Sequence, residues 1–98
     1  MKFNLAFTPT AKKALKELKK DSGLQKQYQA VKKALNLLSE NPRHPGLQTH
    51  KYYSIKGPNG EQVFEAYAEQ KTPAAYRIFF NYGPSRGVIT IFAITQHP

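Results

Sequence analysis

The 98-residue chain contains no cysteine, which excludes a disulfide framework and thiolate chemistry and fits a reducing, cytoplasmic setting. Long apolar runs are missing too. No stretch approaches the roughly 20 residues that span a bilayer, and no apolar run of roughly 7–15 residues follows a basic cap as in a secretory signal. A soluble protein with no membrane association is expected. Acidic residues are scarce, 6 against 15 Lys and Arg. The composition of a disordered chain is also absent, because apolar residues make up 40% and aromatics 12%. One packed domain over residues 1–98 follows.

What is present is positive charge, a net +9 with histidines neutral. Its field draws polyanions, and its placement is uneven. Residues 1–38 hold nine Lys against Glu17 and Asp21, whereas residues 39–98 hold six basic and four acidic groups. Nucleic acid, an anionic membrane surface and an acidic protein are the partner classes such a field admits.

Phe3, Leu5 and Phe7 alternate as in a strand with one buried face. Thr8-Pro9 is a helix opening, with a capping hydroxyl followed by a residue suited to the first turn. Ala11, Ala14, Leu15 and Leu18 then mark one helix face, and Lys12, Lys13, Lys16, Lys19 and Lys20 fall largely on the other. Ser22-Gly23 predicts the end of this helix, with Gly23 in a left-handed conformation. Leu24, Tyr28, Val31, Leu35 and Leu38 predict a second helix to about Glu40, stopped by Asn41-Pro42 and carrying Lys32 and Lys33. So short a connection predicts a helical hairpin.

Residues 41–50 read as a loop, with two prolines and a glycine. Beyond it, turn signals at Gly57-Pro58-Asn59-Gly60, Lys71-Thr72-Pro73-Ala74 and Gly83–Gly87 separate strand-like runs at about 51–56, 62–70, 76–82 and 88–95. The expected fold is α+β: an N-terminal strand, then a helical hairpin packed on one face of a mainly antiparallel twisted sheet. Alternation divides that sheet. Phe64, Ala66, Ala68, Ile78 and Phe80 suit the helix side, and Glu65, Tyr67, Glu69 and Arg77 then share the other side. Register is not readable, so either glutamate is a candidate neighbour of Arg77. Read from residues alone, Arg77 is more readily a structural ion-pair partner for Glu65 or Glu69 than a site residue.

Val63-Phe64-Glu65-Ala66-Tyr67 and Tyr76-Arg77-Ile78-Phe79-Phe80 resemble the paired strands of the RelE/ParE superfamily of bacterial toxins. The expected order of elements resembles it along nearly the whole chain, with the HigB-like branch somewhat closer than the ParE branch. The resemblance implies the toxin of a type II toxin–antitoxin system, an mRNA interferase. Such an enzyme acts on ribosome-bound mRNA through attack of a ribose 2′-OH on the adjacent phosphate, and so inhibits translation. It implies Arg77 as phosphate clamp, Glu65 or its rival Glu69 as base, and His97 in the tail as acid or base. His44 and His50 lie in the proline loop, near where some members place a catalytic acidic residue. Lys12, Lys13, Lys16, Lys19, Lys20, Lys32 and Lys33 are the candidate RNA contacts, with Tyr67 and Tyr82 as stacking surfaces.

No cofactor is implied, and widely spaced histidines without Cys or clustered Asp point to no metal. The implied partners are a small acidic antitoxin, the ribosome and mRNA. Two departures from the family stand out. Tyr67 occupies the place of a usual second arginine, and no tyrosine follows His97. A ParE-like inhibitor of DNA gyrase that is not an enzyme, and a degenerate RNA-binding protein without toxicity, therefore remain alternatives.

Overall fold

The computed structural model describes residues 2–69 and 75–96. Strand β1 (Asn4–Phe7) leads into helix α1 (Pro9–Lys20), a 3-10 turn (Ser22–Leu24) and helix α2 (Gln25–Glu40). A second 3-10 turn (Pro45–Leu47) precedes β2 (His50–Lys56), β3 (Gln62–Tyr67), β4 (Tyr76–Tyr82) and β5 (Val88–Gln96). The sheet order is β1-β5-β4-β3-β2. The β1–β5 pair is parallel and the other three are antiparallel. The α+β expectation is met. Among the described residues no helix is long and apolar enough to cross a membrane.

Helix α1 begins as its sequence requires. Pro9 occupies the first turn, and the Thr8 hydroxyl accepts from the Ala11 amide at 3.2 Å. The same hydroxyl donates to the Phe92 carbonyl at 3.3 Å, tying the cap to β5. Thr8→Ala removes both bonds and is expected to cost about 1 kcal/mol, read as a lower urea midpoint with an unchanged slope.

The other end of α1 departs from expectation. It stops at Lys20, and Asp21 is extended (φ −79°, ψ 109°). Gly23 sits inside the 3-10 turn, where the Asp21 carboxylate accepts from its amide at 2.9 Å. The carbonyls of Lys19 and Asp21 accept instead from the Gln25 side-chain amide, each at 2.9 Å, so no left-handed glycine is needed to meet them. Left-handed glycines occur instead in the hairpin turns, at Gly60, Gly83 and Gly87. The expected turn at 71–74 lies outside the described residues, and β3 ends at Tyr67 rather than near 70.

The core lies between the helices and one sheet face. Ala11, Leu18, Val31, Leu35 and Leu38 meet Ala66, Ile78, Phe80, Ile89 and Ile91, all buried. Ser39 fastens the end of α2 to β1: its carbonyl accepts from the Phe3 amide, and its hydroxyl donates to the Phe3 carbonyl, each at 2.7 Å. With Ile78 and Phe80 committed to this core, the pleat sends Arg77 and Phe79 to the opposite face.

Candidate functional site

Register answers what alternation leaves open. Glu65 pairs with Phe79 on β4 and with His50 on β2, and Tyr67 pairs with Arg77. Arg77 and Glu65 are therefore diagonal neighbours on the face away from the helices, with His50 on the next strand. Arg77 Nη1 donates to Glu65 Oε2. His50 Nε2 lies 2.7 Å from Glu65 Oε1. One carboxylate thus joins a guanidinium to an imidazole.

Burial distinguishes the three. The Glu65 and Arg77 side chains are 3% and 13% exposed, whereas His50 is 47% exposed. Solvent, or a substrate, can reach the cluster through the imidazole. The His50 Nδ1 atom lies 3.0 Å from the Gln48 carbonyl, so both ring nitrogens face oxygen acceptors. A doubly protonated ring satisfies both, and a neutral ring only one. Gln48 holds that carbonyl in place from a left-handed backbone (φ 47°, ψ 41°), a conformation a non-glycine residue adopts at a cost of about 1 kcal/mol or more.

Aromatic rings wall the cluster. The Arg77 guanidinium carbon sits 5.2 Å from the Phe79 centroid, and Tyr52 meets Phe79 edge-on at 4.9 Å. Tyr67 meets the His50 ring edge-on at 5.6 Å. Such surroundings lower the local dielectric and strengthen charge interactions within them. Arg77 Nε is buried and has no hydrogen-bond partner among the described residues, which leaves one fixed donor of the guanidinium unused.

The other expected residues are placed elsewhere. Glu69 Oε1 accepts from the Tyr76 amide at 3.2 Å, a backbone contact rather than one with Arg77. His44 caps the 3-10 turn Pro45–Leu47, its Nδ1 accepting from the Gly46 amide at 2.9 Å. Tyr82 lies on the helix side, against Phe3, Phe64 and Phe80, and so away from Arg77. Burial pushes its phenol above the ordinary tyrosine range, partly opposed by the charge of Arg43. His97 lies outside the described residues.

Lys12, Lys13, Lys16, Lys19, Lys20, Lys32 and Lys33 are all exposed on the two helices. The helices that carry them pack on the sheet face opposite Arg77, although Lys33 shares a depression with Tyr67, whose ring meets His50. Among the described residues no three His, Cys, Asp or Glu side chains converge as a metal site.

Sequence reading treats His50 as one loop histidine among two and overlooks Tyr52. The signal was one residue away: starting β2 at His50 puts His50 and Tyr52 on the Glu65 side.

No protein-family model and no curated protein sequence matches the chain. Three solved structures share its fold. A YoeB dimer from Staphylococcus aureus is 14% identical with a TM-score of 0.68, each chain covered in full. An archaeal RelE–RelB complex from Pyrococcus horikoshii is 16% identical with a TM-score of 0.65, covering 98% of this chain and 96% of that one. A YoeB/ParE toxin from Agrobacterium tumefaciens is 10% identical with a TM-score of 0.68, again with full coverage of both. The chain has the fold of the RelE/ParE-like toxins.

Proposed function

We propose that the chain is the toxin of a toxin–antitoxin pair and cleaves RNA at the Arg77–Glu65–His50 cluster. The observation that carries this reading is Glu65. It is buried, and it holds a guanidinium and a half-exposed imidazole together on the sheet face that the helices leave free. Cleavage by an internal 2′-OH needs charge stabilisation at the phosphorane and a group that moves protons near neutral pH. Arg77 supplies the first and His50 the second.

Glu65 is cast here as the residue that positions both, because each of its oxygens is already engaged and almost none of it meets solvent. This departs from the expectation that Glu65 or Glu69 acts as the base. The lysine helices supply long-range attraction to ribosomal or messenger RNA from the opposite side. An antitoxin is the expected partner, since one of the similar folds was solved as a RelE–RelB complex.

The test is expression in cells lacking an antitoxin, with growth, translation and replication followed in parallel and primer extension run on cellular mRNAs. Wild type is expected to arrest translation and to leave discrete mRNA ends. Arg77→Lys keeps a cation beside Glu65 but loses the planar fork, and it is expected to relieve the arrest. Replication arrest with translation intact would instead point to the gyrase-directed alternative. RNA binding without cleavage or arrest would point to the degenerate one.

A further inference from the structure

Tyr82 is an aromatic residue on the wrong side of the sheet for the Arg77 cluster, yet it is 40% exposed. It borders two adjoining depressions, each of about 560 Å³, within the roughly 300–1,000 Å³ of small-ligand sites. One is lined by Arg43, His44, His50, Lys51, Phe64 and Tyr82 among others, so its rim reaches the exposed imidazole of the Arg77 cluster. The second shares Arg43 and Tyr82 and extends past Asn41 to Phe3. Together they form a trough between loop 41–50 and the sheet.

From this trough we infer a second binding site, one that takes single-stranded nucleic acid, with a base stacked on Tyr82 and phosphates held by Arg43 and Lys51. Three observations carry it. Arg43 and Lys51 are exposed and in no ion pair among the described residues, so their charge is available. Arg43 stands close enough to Tyr82 for its charge to act on the phenol, which puts a cation beside the stacking surface. His44 accepts through Nδ1, so its ring hydrogen is on Nε2 and adds a donor to the same wall.

Glu40 is the one carboxylate among the lining residues, and it belongs to the second depression only. Cations beside an aromatic face suit a nucleotide strand better than an acidic peptide, which would use the charges and leave the ring idle. Two joined depressions, rather than one closed pocket, favour a strand over a free mononucleotide.

The probe is a 5′-phosphorylated thymidine tetranucleotide, which has no 2′-OH and therefore reports binding whether or not the chain cleaves RNA. Its titration is followed by amide chemical shifts, with affinity measured over a salt series. Thymidine monophosphate, inorganic phosphate and an oligoglutamate peptide serve as parallel ligands. Shifts are expected at residues 43–49, 51, 64 and 82, which lie outside the Arg77 cluster, with the tetranucleotide binding more tightly than the mononucleotide. Arg43→Gln with Lys51→Gln is expected to weaken binding at least about tenfold and to flatten the log–log salt dependence by about 0.7 per cation removed.

Tyr82→Leu, which preserves packing against Phe3 and Phe64, is expected to weaken it about tenfold through loss of one stacked base. Equal affinity for phosphate or oligoglutamate would overturn the assignment. So would a mononucleotide binding as tightly as the tetranucleotide, or shifts confined to the lysine helices or the Arg77 face.

Discussion

Glu65→Ala is expected to lower the unfolding free energy by about 3–5 kcal/mol, the range found when one partner of a buried ion pair is removed. Arg77 would be left with its guanidinium largely out of water, beside the Phe79 ring and with no anion opposite it. His50 contributes less to the loss, because a half-exposed ring can turn towards solvent. At roughly 4–8 °C per kcal/mol for a domain of this size, the melting temperature should fall by well over 10 °C.

Glu65→Gln should cost less, since an amide oxygen still accepts from Arg77. Replacing the pair together, as Glu65→Leu with Arg77→Met, should recover most of the stability, because apolar groups of similar volume need no partner. Urea denaturation of Glu65→Leu, Arg77→Met and the double variant closes the cycle. Effects that add to within about 0.5 kcal/mol would mean that the two residues do not couple, and the account of Glu65 as their shared anchor would fail.

The proposed cleavage and the expected stability loss thus rest on the same three residues, and the sequence reveals them unequally. The face carrying Arg77 is legible because Ile78 and Phe80 follow it at a period of two, and their burial forces Arg77 the other way. The choice of Glu65 over Glu69 is not legible, since both have the same parity. Only the pairing of Tyr67 with Arg77 brings Glu65 within diagonal reach and leaves Glu69 beyond the end of β3. His50 was hidden by a boundary. The prolines and glycine of 41–50 make a loop reading natural, but β2 begins on the last residue of that segment.

The end of α1 was misread for a related reason. Asp21 caps the following turn with its side chain, and the Gln25 amide donates to the Lys19 carbonyl, so Gly23 has no left-handed role to fill. Patterns of burial report faces well; register and side-chain capping depend on contacts between segments distant in sequence or on a single polar group, and hydropathy carries no trace of either.

His50→Gln separates holding a position from moving a proton. The glutamine amide can still donate to Glu65, so the carboxylate and Arg77 should stay where they are, and a side chain already half in solvent gives up little burial. A melting temperature close to that of the wild type is expected. Cleavage is a different matter, because an amide cannot exchange a proton with a ribose hydroxyl or a departing 5′-oxygen. Single-turnover cleavage of ribosome-bound mRNA should slow by about 10²–10⁴-fold, the usual contribution of a positioned acid or base.

Arg77→Lys should reduce the same rate by about 10²–10³-fold, as loss of a preorganised donor to a developing charge does. The two losses differ in origin, and a substrate with an activated leaving group tells them apart. A good leaving group needs little protonation, so it should rescue His50→Gln if His50 acts as the acid, and it should leave the Arg77→Lys defect in place. A His50→Gln rate within about threefold of wild type on the natural substrate would remove His50 from the chemistry. The imidazole would then be no more than the second clasp on Glu65.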